Sequence, residues 1–203
     1  RDRLLLELNH RVKNNLQIVA GLLKIQAARS ADPAATRLFE QAGQRVAAIA
    51  QVHASLYQGG MVGSLEFGGY LRDLCGRLAQ SFPEAMDGRV ALKVEAEEAR
   101  LNLDQAIPLG LIVNELVTNA FKHGFAQGGA GTVHVRFHGA GDGTWRLEVA
   151  EEGDAVATEP EAGGPPSGGG LGVQLVQGFA RQLGGTVRFE RAPRFQVRVE
   201  FPG

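Results

Sequence analysis

The sequence has very little cysteine, and this excludes two classes of structure. Cys75 is the single cysteine among 203 residues, so the chain can form neither an internal disulfide framework nor a cysteine-based metal cluster. The apolar residues Leu71, Leu74 and Leu78 around it predict a buried thiol on a helix. A lone unpaired thiol is typical of a reducing compartment, and we therefore expect a cytoplasmic location.

The chain also lacks an excess of charge of either sign and any long apolar segment. Its formal net charge is −1, which gives no reason to expect nucleic acid or an anionic membrane as a partner. No apolar run approaches the roughly 20 residues that a helix needs to cross a bilayer. The first residues show no signal-peptide pattern, and they begin inside a helical pattern without an initiator methionine. We therefore expect a fragment from which an upstream sensory domain is absent.

Several signatures of catalytic and nucleotide-binding sites are missing. The sequence contains neither a Walker loop ending in GK[ST] nor a G-x-G-x-x-G segment after a predicted strand, so a nucleotide site would be neither a P-loop nor a Rossmann site. It also lacks HExxH, paired CxxC and G-x-S-x-G motifs, and no structural zinc is expected. Glycine is scarce in the first 58 residues, where only Gly21 and Gly43 occur, and this scarcity is typical of helices.

The first part of the chain predicts two long helices. Apolar residues recur at steps of three and four along 2–29, and an Asp-Pro pair at 32–33 ends this pattern. A second pattern, close to a heptad repeat, runs along 34–57 and ends at two glycines. A hairpin of two helices buries only one side of each, so we expect two copies to form a four-helix bundle, which means a homodimer. The apolar stripes could instead pack on a second domain of the same chain.

The rest of the sequence alternates between helices and strands. Asp142-Gly143 is a signal for a hairpin turn, and Asn102 or Asp104 can cap a helix. The segment 153–170 is rich in glycine, proline and acidic residues and is predicted to be a mobile loop. The order predicts an α+β fold, with a helical hairpin in domain 1–62 and an α/β sandwich, helices on one face of a mixed sheet, in domain 63–203. Helices are expected at 65–81, 105–123 and 171–183, and strands at 89–95, 100–103, 132–138, 145–150, 186–190 and 195–201.

The predicted helix 105–123 is apolar nearly all round, which draws attention to its few polar residues. These are Asn114, Glu115, Asn119, Lys122 and His123. Glu115 and Asn119 are four residues apart and share one face of the helix. Oxygen donors can hold hydrated Mg²⁺, and a lysine can meet phosphate as a point charge, so the set suits a magnesium–polyphosphate ligand. The same residues could also be polar groups at a helix end that face solvent.

A glycine-rich segment, residues 168–172 (GGGLG), comes directly before the last predicted helix. Glycine lets backbone amides approach a phosphate group closely, and the helix N-terminus adds a positive partial charge. Flexible linkers have a similar composition, so the segment alone leaves both interpretations open.

His10 lies in the middle of the first predicted helix, away from the side taken by Leu8 and Val12. A single histidine on an exposed flank is most often an ordinary surface residue. An exposed neutral imidazole is also a competent nucleophile near neutral pH. Lys13 and Asn14 lie one turn further along the same flank, where they could meet an incoming phosphoryl group.

Three of these segments together resemble the motifs of sensor histidine kinases of the HWE and closely related branch. Residues 7–17 (ELNHRVKNNLQ) resemble the phosphoacceptor box, residues 107–123 (IPLGLIVNELVTNAFKH) the N box, and residues 168–176 (GGGLGVQLV) the second glycine box. They occur in the order of the family and span nearly the whole chain. The resemblance implies a dimerisation and histidine-phosphotransfer hairpin, followed by an ATP-binding domain of the kind shared with gyrase and Hsp90-type ATPases.

Carried over position by position, the resemblance implies roles for individual residues. His10 is the expected phosphoacceptor, Asn119 the expected Mg²⁺ ligand, and Glu115 a residue that supports the metal or the reaction. The expected partner is a response-regulator receiver domain, which takes the phosphoryl group onto an aspartate. The residues expected to contact ATP are Lys122, His123, Glu151, Gly153, Gly170, Leu171 and Gly172.

The first glycine box departs from the family pattern, which is roughly D-x-G-x-G. Residues 149–155 read VAEEGDA, with Glu151 in place of the aspartate that accepts a hydrogen bond from the adenine amino group and Ala155 in place of the second glycine. One function is an ATP-dependent histidine kinase, for which Glu7 and Glu115 are both candidate general bases. A second is a degenerate kinase whose hairpin and His10 act as a phosphotransfer or receiver-binding module. A third, an ATPase of the same fold without histidine transfer, is disfavoured by the box around His10.

Overall fold

The structure, a computed structural model, describes residues 2–58, 64–125, 129–153, 171–190 and 195–203. Within these ranges, the side chains of residues 2–10, 51–53, 55–58 and 171 are outside the description. The predicted loop at 153–170 therefore lies outside the described residues, apart from its first residue. The chain divides into two compact units, one formed by Arg1–Leu65 with Arg100–Leu111 and the other by Glu66–Ala99 with Ile112–Gly203.

The first unit contains the predicted pair of long helices. α1 spans Asp2–Arg29 and α2 spans Pro33–Gln58. Asp32 caps α2, because its side chain accepts a hydrogen bond of 2.9 Å from the amide of Ala34. Proline is well tolerated at the first position of the helix, where an N–H group would have no helical partner. Among the described helices, none combines the length and the apolar character needed to cross a membrane.

Helix α1 carries two apolar faces. The first lies against α2, where Gly43 comes so close that a Cβ there would lie 3.5 Å from the carbonyl oxygen of Ala20 and 3.6 Å from the Cβ of Leu23. The second face is exposed to solvent, and its members are between 39% and 61% exposed. These exposed residues are Val12, Ile18, Val19, Leu22 and Ile25.

The second unit is built on a five-stranded mixed sheet. Its strands are β2 (Val90–Ala96), β4 (Gly131–Gly141), β5 (Thr144–Gly153), β6 (Thr186–Glu190) and β7 (Gln196–Pro202), and the helices that pack on them are α3 (Phe67–Ala79), α4 (Pro83–Met86) and α6 (Leu171–Gln182). The strand order is β2-β4-β5-β7-β6, in which β2 and β4 are parallel and the other neighbours are antiparallel.

The two faces of this sheet have different chemistry. Side chains alternate between the faces of a strand, and one face is apolar and buried: Val133, Val135, Phe137, Leu147, Val149, Val197, Val199 and Phe201. The other face carries cross-strand ion pairs. Nε of Arg198 lies 2.7 Å from Oε1 of Glu148, and Nη2 of Arg146 lies 2.7 Å from Oε1 of Glu200. The predicted α+β fold, with a helical part before a mixed-sheet domain covered by helices on one face, is confirmed.

The start of α3 differs from the prediction. The helix predicted from residue 65 begins at Phe67, because Leu65–Glu66 form strand β1, which joins β3 (Arg100–Leu101) in a separate two-stranded sheet. The carboxylate of Glu66 caps α3 by accepting hydrogen bonds of 2.9 Å and 2.7 Å from the amides of Gly68 and Gly69. A side chain engaged in this way stands outside the helix that it begins.

The end of α5 also differs from the prediction. α5 spans Leu103–Asn119, and Ala120–Gly124 form a π-helical turn instead of completing the α-helix predicted to residue 123. At the other end, Asn102 is the cap, because its side chain accepts a hydrogen bond of 3.0 Å from the amide of Gln105. The hairpin turn between β4 and β5 is confirmed, since Asp142 and Gly143 have φ values of 53° and 78°.

Candidate functional site

The polar residues of α5 divide into a buried set and an exposed set. Asn114 and Glu115 are 5% and 8% exposed, and Asn119 is half-buried. Lys122 and His123 are exposed on the π-helical turn. The interpretation as solvent-facing groups at a helix end therefore fits only the last two. A buried carboxylate and carboxamide are costly unless they are paired or serve a ligand.

The start of α6 lies directly against the buried end of α5. A Cβ at Gly172 would lie 3.1 Å from Oε2 of Glu115 and 3.4 Å from Nδ2 of Asn119. A side chain at this position would require the Glu115 carboxyl group to move by a few tenths of an ångström, so glycine suits this close approach. The positive partial charge of the α6 N-terminus is thereby placed beside the side chains of Glu115 and Asn119. Such an arrangement can receive the negative charge of a phosphate group.

The π-helical turn connects the contact between α5 and α6 to the end of β5. Its last residue, Gly124, is buried and lies against the carboxyl group of Glu151, so that a Cβ at Gly124 would be 2.6 Å from Cδ and 2.8 Å from Oε1. The turn carries Lys122 and His123 between Asn119 and Gly124. π-helical turns often occur at functional sites, and here the turn brings the N box and the first glycine box together.

Glu151 is a buried acid near the end of β5. It is 8% exposed, it pairs in register with Val133 of β4, and its amide donates a hydrogen bond of 3.0 Å to the carbonyl oxygen of Phe195. Burial raises the pKa of the Glu151 carboxyl group to about 7, because the charged form is poorly solvated there. The acid can therefore both donate and accept hydrogen bonds near neutral pH.

Gly153 ends β5 in a conformation that favours glycine. Its φ is +133°, and a Cβ would collide with the carbonyl oxygen of Ala130 and the Cα of Gly131. The backbone of β4 and the end of β5 thus approach each other closely, with no side chain between them.

Other predicted site residues fall wholly or partly outside the described residues. His10 lies within α1, but its side chain is outside the description. Gly170 and Ala155 lie outside the described residues altogether. Leu171 is the first residue of α6, without a described side chain.

Gly124 and Thr118 were not singled out from the sequence. Thr118 is a buried polar residue, 8% exposed, one position before Asn119. The signal for Gly124 is weak: a glycine directly after the last polar residues of a helix and before the buried aromatic Phe125. Its contact with Glu151 depends on strand pairing, which the local sequence does not reveal.

Two family models match the chain. Residues 7–82 match a model described as histidine kinase. Residues 104–203 match a model described as histidine kinase-, DNA gyrase B- and HSP90-like ATPase. The residues contacting one another at Gly172, Asn119, Gly124 and Glu151 all belong to the second match.

Curated and solved relatives are similar over almost the whole chain. Blue-light-activated histidine kinase 2 of Erythrobacter litoralis is 29% identical over 196 residues, which cover 94% of this chain and 54% of the relative. The sensor histidine kinase PdtaS of Mycobacterium tuberculosis is 29% identical over 180 residues, which cover 87% and 34%. A solved histidine kinase domain of an Erythrobacter litoralis blue-light-activated kinase has a TM-score of 0.68 at 26% identity, covering 99% of this chain and 91% of that chain. The chain therefore spans about half the length, or less, of these curated relatives.

Proposed function

The chain belongs to the histidine kinase family, and from this premise we propose that it is an ATP-dependent protein-histidine kinase of a two-component signalling system. It phosphorylates His10 and passes the phosphoryl group to an aspartate of a response-regulator receiver domain. The family membership confirms the resemblance drawn from the three motifs. The observation that carries the proposal is the contact of Gly172 with Glu115 and Asn119, because it joins the two segments expected to hold the polyphosphate.

ATP is proposed to bind along the contacts that join the start of α6 to the end of α5, and the π-helical turn to the end of β5, all within the second unit. The backbone amides at Gly170, Leu171 and Gly172 supply the phosphate contacts, strengthened by the partial charge of the α6 N-terminus. Lys122 and His123 are exposed on the π-helical turn, from which they reach the phosphates as donors. Residues Glu151 and Gly153 at the end of β5 are proposed to contact the adenine base.

The donor set of the site fits Mg²⁺ held jointly by protein and nucleotide. The described residues contain no cluster of three or more His, Cys, Asp or Glu side chains that could hold a metal ion by themselves. Mg²⁺ commonly takes one or two protein oxygens together with phosphate oxygens and waters, and Asn119 supplies one amide oxygen beside Glu115. When bound, the ion would neutralise the charge on the phosphates.

The proposed chemical step is an in-line displacement at the γ-phosphorus. The unprotonated ring nitrogen of His10 forms the new N–P bond, the bond from phosphorus to the β–γ bridging oxygen breaks, and ADP leaves. The proton on the other ring nitrogen passes to a base. Glu7 and Glu115 are the two proposed bases, and of these Glu115 is the one that adjoins Asn119 at the phosphate end of α6.

The hairpin is proposed to act in a homodimer. The exposed apolar face of α1, defined above by Val12, Ile18, Val19, Leu22 and Ile25, is the kind of stripe that a four-helix bundle buries. We assign residues 1–62 to this dimerisation and phosphotransfer domain and residues 63–203 to the ATP-binding domain. An upstream sensory domain and a cytoplasmic location belong to the same proposal.

The second candidate function is a degenerate kinase that acts as a phosphotransfer or receiver-binding module. The presence of Glu151 in place of aspartate and of Ala155 in place of glycine favours this function. The longer acid changes where the carboxyl group lies, and a displacement of about 1 Å in a site can lower its rate strongly. The contacts at Gly172 favour the kinase.

The test is phosphorylation of the purified chain with γ-labelled ATP and Mg²⁺. We expect acid-labile, base-stable label on the wild type and on the control His138→Ala, and none on His10→Ala or Asn119→Ala. Absence of label on the wild type, with transfer from a phosphorylated receiver onto His10 intact, would support the degenerate module. Absence of both activities would contradict the proposed function.

A further inference from the structure

We propose that Glu151 couples adenine-nucleotide binding to the uptake of a proton. A purine with an amino group presents a hydrogen-bond donor beside a ring-nitrogen acceptor. A neutral carboxylic acid matches this edge with two hydrogen bonds, because its carbonyl oxygen accepts and its hydroxyl group donates. A carboxylate only accepts, so it bonds the amino group and opposes the lone pair of the ring nitrogen. The inference rests on the proposed function, because it takes the end of β5 as the place of the adenine base.

The position of Glu151 on the sheet separates it from the charges of its own strand. Leu147, Val149 and Glu151 share the buried, helix-covered face of β5. Glu148 and Glu152 lie on the opposite face, where Glu148 pairs with a guanidinium group and Glu152 with an imidazole. Glu151 is therefore the carboxyl group that β5 presents to the apolar side of the sheet.

The neighbouring strands give Glu151 no counter-charge from the described residues. On β4 its register partner is Val133, and the adjacent His134 turns to the opposite face, where its Nε2 lies 2.8 Å from Glu152. On the β7 side the neighbour is Phe195, which contacts it through the backbone. The nearest cation on β7, Arg198, is engaged with Glu148 on the opposite face.

The polar end of α5 and the π-helical turn bring three titratable groups. Glu115 lies on α5 beside Gly172, and Lys122 and His123 are exposed on the π-helical turn before Gly124. Gly124 itself contacts the Glu151 carboxyl group, and it brings no side chain. Burial is the cause of the raised pKa of Glu151, which is about 7. Both protonation states are consequently populated near neutral pH.

The length of glutamate matters to this arrangement. An aspartate at position 151 would carry its carboxyl group one methylene less far from β5. Glutamate reaches Gly124, and the missing side chain of this glycine provides the space that the carboxyl group occupies. The fold thus holds the carboxyl group largely away from water.

The test compares the wild type with Glu151→Gln by calorimetric titration of Mg²⁺-ATP from pH 6 to 9. A glutamine amide has the same donor and acceptor arrangement as the neutral acid, and it does not titrate. We expect both proteins to bind Mg²⁺-ATP with equal affinity at pH 6. Above pH 7 we expect the ratio of wild-type to variant affinity to fall by up to about tenfold per pH unit. Glu152→Gln, one residue away on the opposite face, is the matched control and should follow the wild type.

A second readout is the titration of the Glu151 carboxyl carbon itself, followed by NMR with labelled glutamate and assigned from the Glu151→Gln spectrum. We expect a midpoint near 7, displaced upward by ATP. Binding of ATP with the same pH profile in wild type and Glu151→Gln would overturn this inference and leave the proposed function standing. Affinity that rises relative to the variant above pH 7 would also overturn it. Failure of all three proteins to bind ATP at any pH would overturn both.

Discussion

The backbone at Gly153 makes a quantitative prediction about stability. Replacement by alanine places a Cβ at a φ of +133°, which costs about 1–3 kcal/mol. The same Cβ collides with backbone atoms of Ala130 and Gly131, and relief of such overpacking costs about 1–3 kcal/mol more. We therefore expect Gly153→Ala to lower the free energy of unfolding of the second unit by roughly 2–6 kcal/mol.

A matched substitution in the same unit has the opposite expected sign. Gly178 lies inside α6, and a Cβ there would meet nothing within 4 Å, so Gly178→Ala should stabilise by about 0.5–1 kcal/mol through helix propensity. Trp145 is the single tryptophan, and its ring stacks on that of Phe137 in the same sheet, with 4.9 Å between the ring centroids. The fluorescence of Trp145 during urea denaturation therefore reports the unfolding of both variants. Equal stability of Gly153→Ala and the wild type would refute the reasoning from backbone strain.

Three other predictions follow from burial and exposure. Because the pKa of Glu151 is raised above its unfolded value of 4.5 to about 7, the folded protein holds the proton more tightly and loses stability as pH rises between these values. Glu151→Gln should therefore change the free energy of unfolding, measured by urea denaturation, by roughly 2–3 kcal/mol more in the stabilising direction at pH 8 than at pH 5. An equal effect of the substitution at both pH values would contradict the raised pKa of Glu151. Ile18 is 61% exposed on α1, so Ile18→Glu should weaken self-association in sedimentation experiments, whereas Gln17→Glu, at an adjacent exposed position, should not. Cys75 is fully buried and its pKa is raised to about 12, so a thiol reagent at pH 8 should label it only after unfolding, and rapid labelling of the native protein would contradict its burial.

Local chemistry explains the part of the fold that could be predicted from the sequence. The periodicity of α1 and α2, the Asn102 cap and the Asp142-Gly143 turn are each set by residues close together in the chain. The start of α3 could not be placed in this way, because Glu66 suits both a helix and a cap. Its role as a cap depends on the strand that Leu65–Glu66 forms.

The candidate site shows the same division. The types of residues at Glu115, Asn119 and Gly172 are apparent from the sequence, and together with the family resemblance they lead to the prediction of a phosphate site. Their contact is a tertiary one between α5 and α6, and so is the contact of Gly124 with Glu151. The burial of Glu151, which sets its protonation, arises from its place on the covered face of β5 and cannot be read from the motif.

The π-helical turn has a consequence for insertions and deletions. A π-helical turn holds one residue more than an α-helical turn, and each residue advances an α-helix by about 100°. Deletion of Ala120 with a return to an α-helical turn would therefore leave Gly124 and the residues after it nearly in phase with Glu115 and Asn119. The π-helical turn can thus absorb a change of one residue in length, whereas deletion of a residue inside α5 would rotate everything after it by about 100°.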